Sequence, residues 1–260
     1  MPQIKAYDSQ IKKAPTLIPK PPAQILLCSP VGLGKSTVLL NMLLNDEFYK
    51  GYYHRIILFA PTFDRDEKWK KILKVSGLIR VTKEMRAQPT IQLWEGPPDA
   101  PAKSGKIDPN DIHLVYDVKV MHDVLEEQNE YLRNGIDRRL CVIFEDVLAL
   151  GVFESKNLKA TTNLSTTLRH SACTVIYCVQ SYKLIPRVIR VNCTNLIIFK
   201  IPNTQERRKI HEEFPIVGDF TAWNKKFEEL LDKPYSFLHF NFQNPQGKQL
   251  ILNFDKFVDI

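Results

Sequence analysis

Two patterns of apolar residues alternate along the chain. Short continuous apolar runs are typical of strands buried on both faces of a sheet, and apolar residues that recur every three or four positions are typical of amphipathic helices. The runs predict strands at 25–28, 55–60, 138–148, 173–179 and 195–200. The helical spacing predicts helices at 118–132, 157–170, 204–214 and 220–231, and another that carries Val38, Leu39, Met42 and Leu43.

Strands that alternate with helices predict an α/β fold, in which a mostly parallel sheet carries helices on both faces. Two further apolar runs, 234–242 and 248–254, flank a turn at 244–247 and predict a C-terminal β-hairpin over 234–254. An acidic stretch that begins at Asp64 predicts one more helix, which would hold Trp69 and Ile72.

One domain is therefore expected over 24–260. An extended basic and proline-rich arm, 1–23, precedes it and is expected to lie across the domain or across a neighbouring subunit. Prolines and glycines crowd the stretch 84–112, where we expect a surface loop insertion.

The composition is that of an ordinary globular protein, with 44% hydrophobic residues. No apolar run approaches the roughly 18 residues that a membrane span requires, and the N-terminus lacks the apolar core of a signal peptide. We therefore expect an intracellular protein without membrane insertion. The net charge of +7 favours a polyanionic partner. The five cysteines are odd in number and form no C-x-x-C pair, which predicts buried reduced thiols and no zinc site.

The loop between the first predicted strand and the first predicted helix has the context of a phosphate-binding loop. Its backbone N–H groups and those at the helix start would converge on the phosphates of ATP. Lys35 would reach the β- and γ-phosphates, and the Ser36 hydroxyl would ligate Mg²⁺. Ser29 replaces the usual first glycine and Pro30 offers no N–H, so most donors would come from 31–37. The predicted nucleotide-binding residues are Ser29, Pro30, Val31, Gly32, Leu33, Gly34, Lys35, Ser36 and Thr37.

Polar residues also follow two later strands. Glu145 and Asp146 come directly after Leu-Cys-Val-Ile-Phe, as in a Walker B element, and Gln180 ends the strand 173–179. By register Glu145 would hold Mg²⁺ and Asp146 would polarise the attacking water, although a shift that places Asp146 on the metal stays open. Gln180 would touch both the γ-phosphate and that water. Because ligands bind at the carboxyl ends of parallel strands, these residues and the loop predict one active site.

Three arginines are candidates for a residue that completes the site of a neighbouring subunit, where a guanidinium stabilises charge on the transferring phosphoryl group. They are Arg190, Arg187 and Arg169, and the pattern alone does not choose among them.

The ordered set of motifs resembles the FtsK–HerA superfamily of P-loop motors. More narrowly, it resembles the genome-packaging ATPases of poxviruses, giant viruses, virophages and Polinton-like viruses. The resemblance covers roughly 25–200 and departs from the family at Ser29, for glycine, and at Glu145, for aspartate. It is carried by the segments 29–36, 59–62, 142–146, 168–170 and 174–192, the last containing Gln180 and Ile189-Arg190-Val191-Asn192.

The resemblance implies a RecA-like P-loop NTPase core that translocates double-stranded DNA with ATP and packages a viral genome into a preformed capsid. It implies a homo-oligomeric ring, a pentamer or hexamer, at the capsid or portal vertex. A neighbour's arginine would complete each nucleotide site, and lysines and arginines in 65–86 or 183–190 would grip the DNA backbone without reading sequence. The expected location is the infected cell, in a viral factory, the cytoplasm or the nucleus, or the virion.

Two other interpretations stay open. The chain could be another P-loop NTPase, such as a replication helicase or an initiator ATPase. It could also be a nucleotide-dependent assembly protein that does not hydrolyse ATP, which Ser29 and Glu145 would allow.

Overall fold

A nine-stranded sheet organises the computed structural model, which describes residues 17–65, 107–214 and 218–258. Among the described residues, helices lie between most consecutive parallel strands, as the apolar periodicity predicts. In chain order the elements are β1 (Gln24–Cys28), α1 (Lys35–Leu44), β2 (Arg55–Phe59), β3 (Ile112–His113), α2 (Val118–Arg133), β4 (Leu140–Phe144), α3 (Ser155–Thr167), β5 (Cys173–Val179), α4 (Arg187–Val191), β6 (Asn195–Phe199), α5 (Thr204–Glu213), α6 (Phe220–Leu230), β7 (Phe237–Asn241), β8 (Leu250–Leu252) and β9 (Lys256–Phe257).

The strand order is β3-β2-β4-β5-β1-β6-β7-β8-β9. The first six strands are parallel, and β7, β8 and β9 extend the sheet in antiparallel fashion. The predicted α/β class, the mostly parallel sheet and the C-terminal hairpin are therefore confirmed. The hairpin strands are shorter than predicted. The two-residue strands β3 and β9 were not predicted, because two residues are too few to show an alternation.

Successive strand residues point to opposite faces of the sheet, and both faces are covered. Ile25 and Leu27 of β1 pack with the apolar side of α1 and with a group of tyrosines at 49–53. Leu26 and Cys28 pack on the other face, where α2, α3, α5 and α6 contribute to the core. Burial on both faces explains why these strands are continuous apolar runs. All five cysteines are buried and free, as predicted.

The helices α2, α5 and α6 match their predicted ranges within a residue. Helix α3 begins two residues earlier than predicted and ends at Thr167, so Arg169 and His170 lie in the turn that follows. A 3₁₀ turn, Tyr182–Leu184, and the short helix α4 fill the segment between β5 and β6, for which no helix was predicted. No described helix has both the length and the apolar content needed to cross a membrane.

The described end of the N-terminal arm packs on its own domain. Ile18 is buried, the Leu17 carbonyl lies 3.1 Å from Nδ1 of His239, and Tyr49 donates a hydrogen bond to the Pro19 carbonyl. The rest of the arm, the helix predicted to hold Trp69 and Ile72, and most of the predicted insertion lie outside the described residues.

Three aromatic rings stack across β2, β4 and β5 at their carboxyl ends. Phe144 lies between Phe59 and Tyr177, with ring centroids 5.1 Å away on both sides, and all three rings are fully buried. The register places them directly opposite one another. Because Phe144 immediately precedes Glu145, this stack positions the acidic pair.

We predict that Phe144→Ala lowers the free energy of unfolding by about 3–5 kcal/mol, since the substitution leaves a cavity between two rings. Urea denaturation followed by circular dichroism measures the effect. The matched control is Phe257→Ala in β9, where the side chain is partly exposed and the expected change is within about 1 kcal/mol. Equal effects of the two substitutions would contradict this account of the stack.

Candidate nucleotide-binding site

The loop between β1 and α1 has the backbone geometry of an anion cradle. Gly32 and Gly34 have φ of +85° and +100°, a region that favours glycine. No described side chain caps the start of α1, so its first N–H groups are available to an anion. Ser29 is buried, and its N–H donates to the Val179 carbonyl at 3.0 Å, which continues the β1–β5 ladder into the loop.

The acidic pair after β4 meets this loop. The Ser36 hydroxyl donates a 2.8 Å hydrogen bond to Oε1 of Glu145. Glu145 is buried, and its Oε2 has no hydrogen-bond partner among the described residues. The Glu145 N–H donates to the Phe59 carbonyl at 2.8 Å, which anchors its backbone to β2.

These oxygens fit a magnesium ion. Mg²⁺ prefers hard oxygen ligands and is commonly held by one or two protein groups, with substrate phosphates and waters completing the shell. The Ser36 hydroxyl and the unpartnered Glu145 oxygen offer two such ligands. Among the described residues no cluster of three or more histidine, cysteine or acidic side chains could hold a metal by itself.

Lys35 lies at the same edge of the sheet. Burial raises the pKa of the Cys178 thiol well above its usual value, and the nearby carboxylates of Glu145 and Asp146 raise it further, whereas the charge of Lys35 opposes the shift. The charges of Glu145, Asp146 and Lys35 therefore all act on this thiol, which lies near the end of β5. The structure brings the phosphate loop and the acidic pair into one neighbourhood.

Asp146 and Gln180 complete the predicted set. Asp146 has a φ of +58°, a conformation that aspartate tolerates better than most residues, and it is half-buried. Gln180 is exposed directly after β5, the strand between β1 and β4. Val31 and Thr37 of the loop are exposed. The predicted residues of three separated segments therefore lie at the carboxyl ends of three adjacent strands, β4, β5 and β1.

Arg190, by contrast, is engaged inside its own subunit. Its Nε and Nη2 donate 2.8 Å hydrogen bonds to the two carboxylate oxygens of Glu213, and Nη1 donates to the Ile185 carbonyl. Its side chain is only 10% exposed. This pairing argues against Arg190 as the arginine offered to a neighbouring subunit.

The two other candidate arginines are exposed. Arg187 lies at the start of α4, whereas Arg169 lies before β5, at the opposite edge of the sheet from the phosphate loop. Among the basic residues of 183–190, Lys183 and Arg187 are exposed, and most of 65–86 lies outside the described residues.

Two carboxylates on α5, those of Glu206 and Glu213, form contacts that the motifs did not predict. Oε1 of Glu206 accepts hydrogen bonds from the Ser181 hydroxyl, at 2.9 Å, and from the Tyr182 backbone N–H. Glu213 accepts from the Tyr182 hydroxyl at 2.6 Å as well as from Arg190. Burial raises the pKa of Glu213, but the hydrogen bonds from Arg190 and Tyr182 outweigh it and hold that pKa below its usual value. The segment after Gln180 is therefore tied to α5.

The fold is similar to that of viral packaging enzymes. It aligns with the DNA-packaging ATPase B204 of Sulfolobus turreted icosahedral virus at a TM-score of 0.58 and 14% identity, over 89% of this chain and 97% of that one. The genome-packaging NTPase B204 of Sulfolobus turreted icosahedral virus 2 aligns in its complex with AMP at 0.59 and 12% identity, over 90% and 97%. Its complex with ATP-γS gives 0.55 and 13%, over 88% and 96%.

No protein-family model and no curated protein matches the chain. The motifs predicted a resemblance to viral genome-packaging ATPases, and the structural alignments confirm it at the level of the fold.

We predict that Arg190→Ala lowers the free energy of unfolding by about 1.5–3 kcal/mol, because Glu213 loses two charge-assisted hydrogen bonds and keeps only Lys209, at 3.5 Å, and the Tyr182 hydroxyl. Chemical denaturation checks this value. Arg187→Ala is the control, and as an exposed change it should stay within about 0.5 kcal/mol. If Arg190→Ala were as stable as the wild type, the ion pair would not be structural and Arg190 would return as a candidate for the neighbour's site.

Proposed function

We propose that this chain hydrolyses ATP and uses the energy to translocate double-stranded DNA during the packaging of a viral genome into a capsid. The observation that carries the proposal is the contact between Ser36 and Glu145. It joins a phosphate loop to an acidic pair at the edge of a parallel sheet, which is where P-loop enzymes bind nucleotide.

Each residue has a distinct role in the proposed reaction. Lys35 and the backbone N–H groups of 31–37 bind the phosphates and neutralise charge that builds on them. Bound Mg²⁺, held by Ser36 and Glu145, would add a positive charge that polarises the phosphoryl oxygens. Asp146 orients and polarises the attacking water, and Gln180 contacts that water and the terminal phosphate. The contact of Ser36 with Glu145 favours Glu145, and not Asp146, as the metal-side carboxylate.

The likeness to B204 supports the finer parts of the proposal. B204 is a packaging enzyme of a virus, and its complexes include ATP-γS and AMPPCP. The three alignments cover 88–90% of this chain and 96–97% of the B204 chains. We propose that this chain also acts on DNA, and specifically on duplex DNA without sequence preference, for which a net charge of +7 is suited.

We further propose that the active form is a homo-oligomeric ring, a pentamer or hexamer, at the capsid or portal vertex inside the infected cell. A guanidinium from the adjacent subunit would then complete each site. Arg187 and Arg169 are both exposed. Arg187 is the preferred candidate because Arg169 lies before β5, at the opposite edge of the sheet from the phosphate loop.

We predict that Lys35→Ala loses about 10²-fold or more of the ATP hydrolysis rate while the fold is retained, because the lysine charge serves the phosphates and not the core. Phosphate release is measured with and without duplex DNA. Lys50→Ala is the control, since Lys50 lies on the surface near the end of α1 and pairs with Asp46.

The same assay separates the alternatives. Hydrolysis stimulated by duplex DNA without strand separation supports the packaging motor, and unwinding of a forked duplex would identify a helicase instead. Nucleotide binding without phosphate release, even with DNA present, would select an assembly protein. Unchanged hydrolysis in Lys35→Ala would refute the proposed nucleotide-binding site.

We predict that Asp146→Asn still binds ATP but turns it over about 10²- to 10⁴-fold more slowly, because an amide cannot act as a general base. Asparagine tolerates a positive φ, so the backbone is expected to stay in place. Equilibrium binding and single-turnover hydrolysis are measured on the same preparation. A wild-type rate in this variant would exclude Asp146 from the reaction.

A further inference from the structure

The phosphate loop has polar side chains on one side and aromatic rings on the other. On one side Ser36 faces Glu145 beyond β5. On the other side Gly34 faces aromatic rings, since a Cβ built on Gly34 would lie 3.3 Å from Cδ1 of Tyr235 and 3.7 Å from Cε1 of Phe199. The polar side suits a metal and a terminal phosphate, and the aromatic side has no chemistry for either.

Tyr235 is unusual among the aromatic residues of the described chain. Its side chain is 69% exposed, although it lies beside the ordered loop and next to the buried residues Ser236 and Phe237. Its φ of +64° lies in the left-handed region, which non-glycine residues adopt at a cost that the surrounding structure must offset. The ring therefore lies beside the phosphate loop with much of its surface open to a ligand.

The position of Tyr235 is set by the sheet. Phe237 pairs with Phe199 at the start of β7, and its N–H donates to Oδ1 of Asn253 at 2.9 Å. The turn before it is closed by the Ser236 N–H, which donates to the Lys233 carbonyl at 3.2 Å. Tyr235 is therefore held at the same edge as the phosphate loop, in the turn that precedes β7, which lies two strands from β1.

The distance from β1 to β7 follows from the spacing of strands in a sheet. Neighbouring strands lie about 4.8 Å apart, so β7 lies about 10 Å from β1, on the scale of a nucleoside. A nucleotide whose terminal phosphate lies toward Glu145 would extend its base away from β4 and toward β6 and β7. The base would then reach the exposed face of the Tyr235 ring.

We infer that Tyr235 is the platform on which the base of the bound nucleotide stacks, an inference that rests on the proposed nucleotide site. The contact is to the π-face of the base, which all bases share, so it supports binding of nucleoside triphosphates without selecting adenine strongly. Tyr235 thus accounts for affinity for the nucleoside, and the phosphate loop accounts for affinity for the phosphates.

The test compares ligands with and without a base. Binding of ATP, GTP and inorganic tripolyphosphate, each with Mg²⁺, is measured by calorimetry on the wild type, Tyr235→Asn and Tyr235→Phe. Asparagine removes the ring and tolerates a positive φ, and phenylalanine keeps the ring. We expect Tyr235→Asn to weaken ATP and GTP about tenfold or more and to leave tripolyphosphate unchanged, and Tyr235→Phe to behave as the wild type.

Three results would overturn the inference, and they differ from one another. Wild-type ATP affinity in Tyr235→Asn would mean that the ring does not touch the base. An equal loss for ATP and tripolyphosphate would mean that the ring supports the phosphate loop only. A wild-type protein that binds neither ATP nor tripolyphosphate would refute the proposed function itself, and the base platform with it.

Discussion

The hydrogen bond between Ser36 and Glu145 joins segments 109 residues apart, and it depends on the parallel register of three strands. Cys28 at the end of β1 lies opposite Val179 of β5, and Phe144 at the end of β4 lies opposite Tyr177. The three strands therefore end within about two residues of one another. Because both faces of the sheet are buried, a slip of one residue would turn each strand's side chains to the wrong face. The same packing that holds the core thus holds the site.

The segment after β5 is constrained in a second way. Glu206 binds Ser181 and Tyr182 at one end of α5, and Glu213 binds Tyr182 and Arg190 at the other end. These are charge-assisted hydrogen bonds in partly or fully buried surroundings, the stronger class of such bonds. Any displacement of the backbone next to Gln180 must either break them or be shared by α5. We therefore expect the backbone next to Gln180 and helix α5 to move together.

Local patterns predicted the parts of the molecule that depend on local physics. Continuous apolar runs predicted the buried parallel strands. The glycines with Lys35 and Ser36 predicted a phosphate loop, and Gly32 and Gly34 there have positive φ. The contacts that the sequence did not reveal depend on distant partners. Arg190 carries a charge that suggests a surface position, and only the packing of α5 against α4 reveals its buried partner Glu213. Tyr235 lies in a short turn with no motif, and its significance comes from the approach of Gly34 across the sheet.

The structure accommodates both departures from the family pattern, Ser29 for glycine and Glu145 for aspartate. A glycine is favoured where φ is positive, and in this loop that holds for Gly32 and Gly34 but not for Ser29. Ser29 instead continues the ladder with Val179, and its hydroxyl donates to the Pro30 carbonyl at 2.8 Å. Glu145 is one methylene longer than aspartate, yet its carboxylate reaches the Ser36 hydroxyl while its backbone stays paired to Phe59. Neither substitution disturbs the cradle, so the features that allowed a non-hydrolysing interpretation do not favour it over a working ATPase.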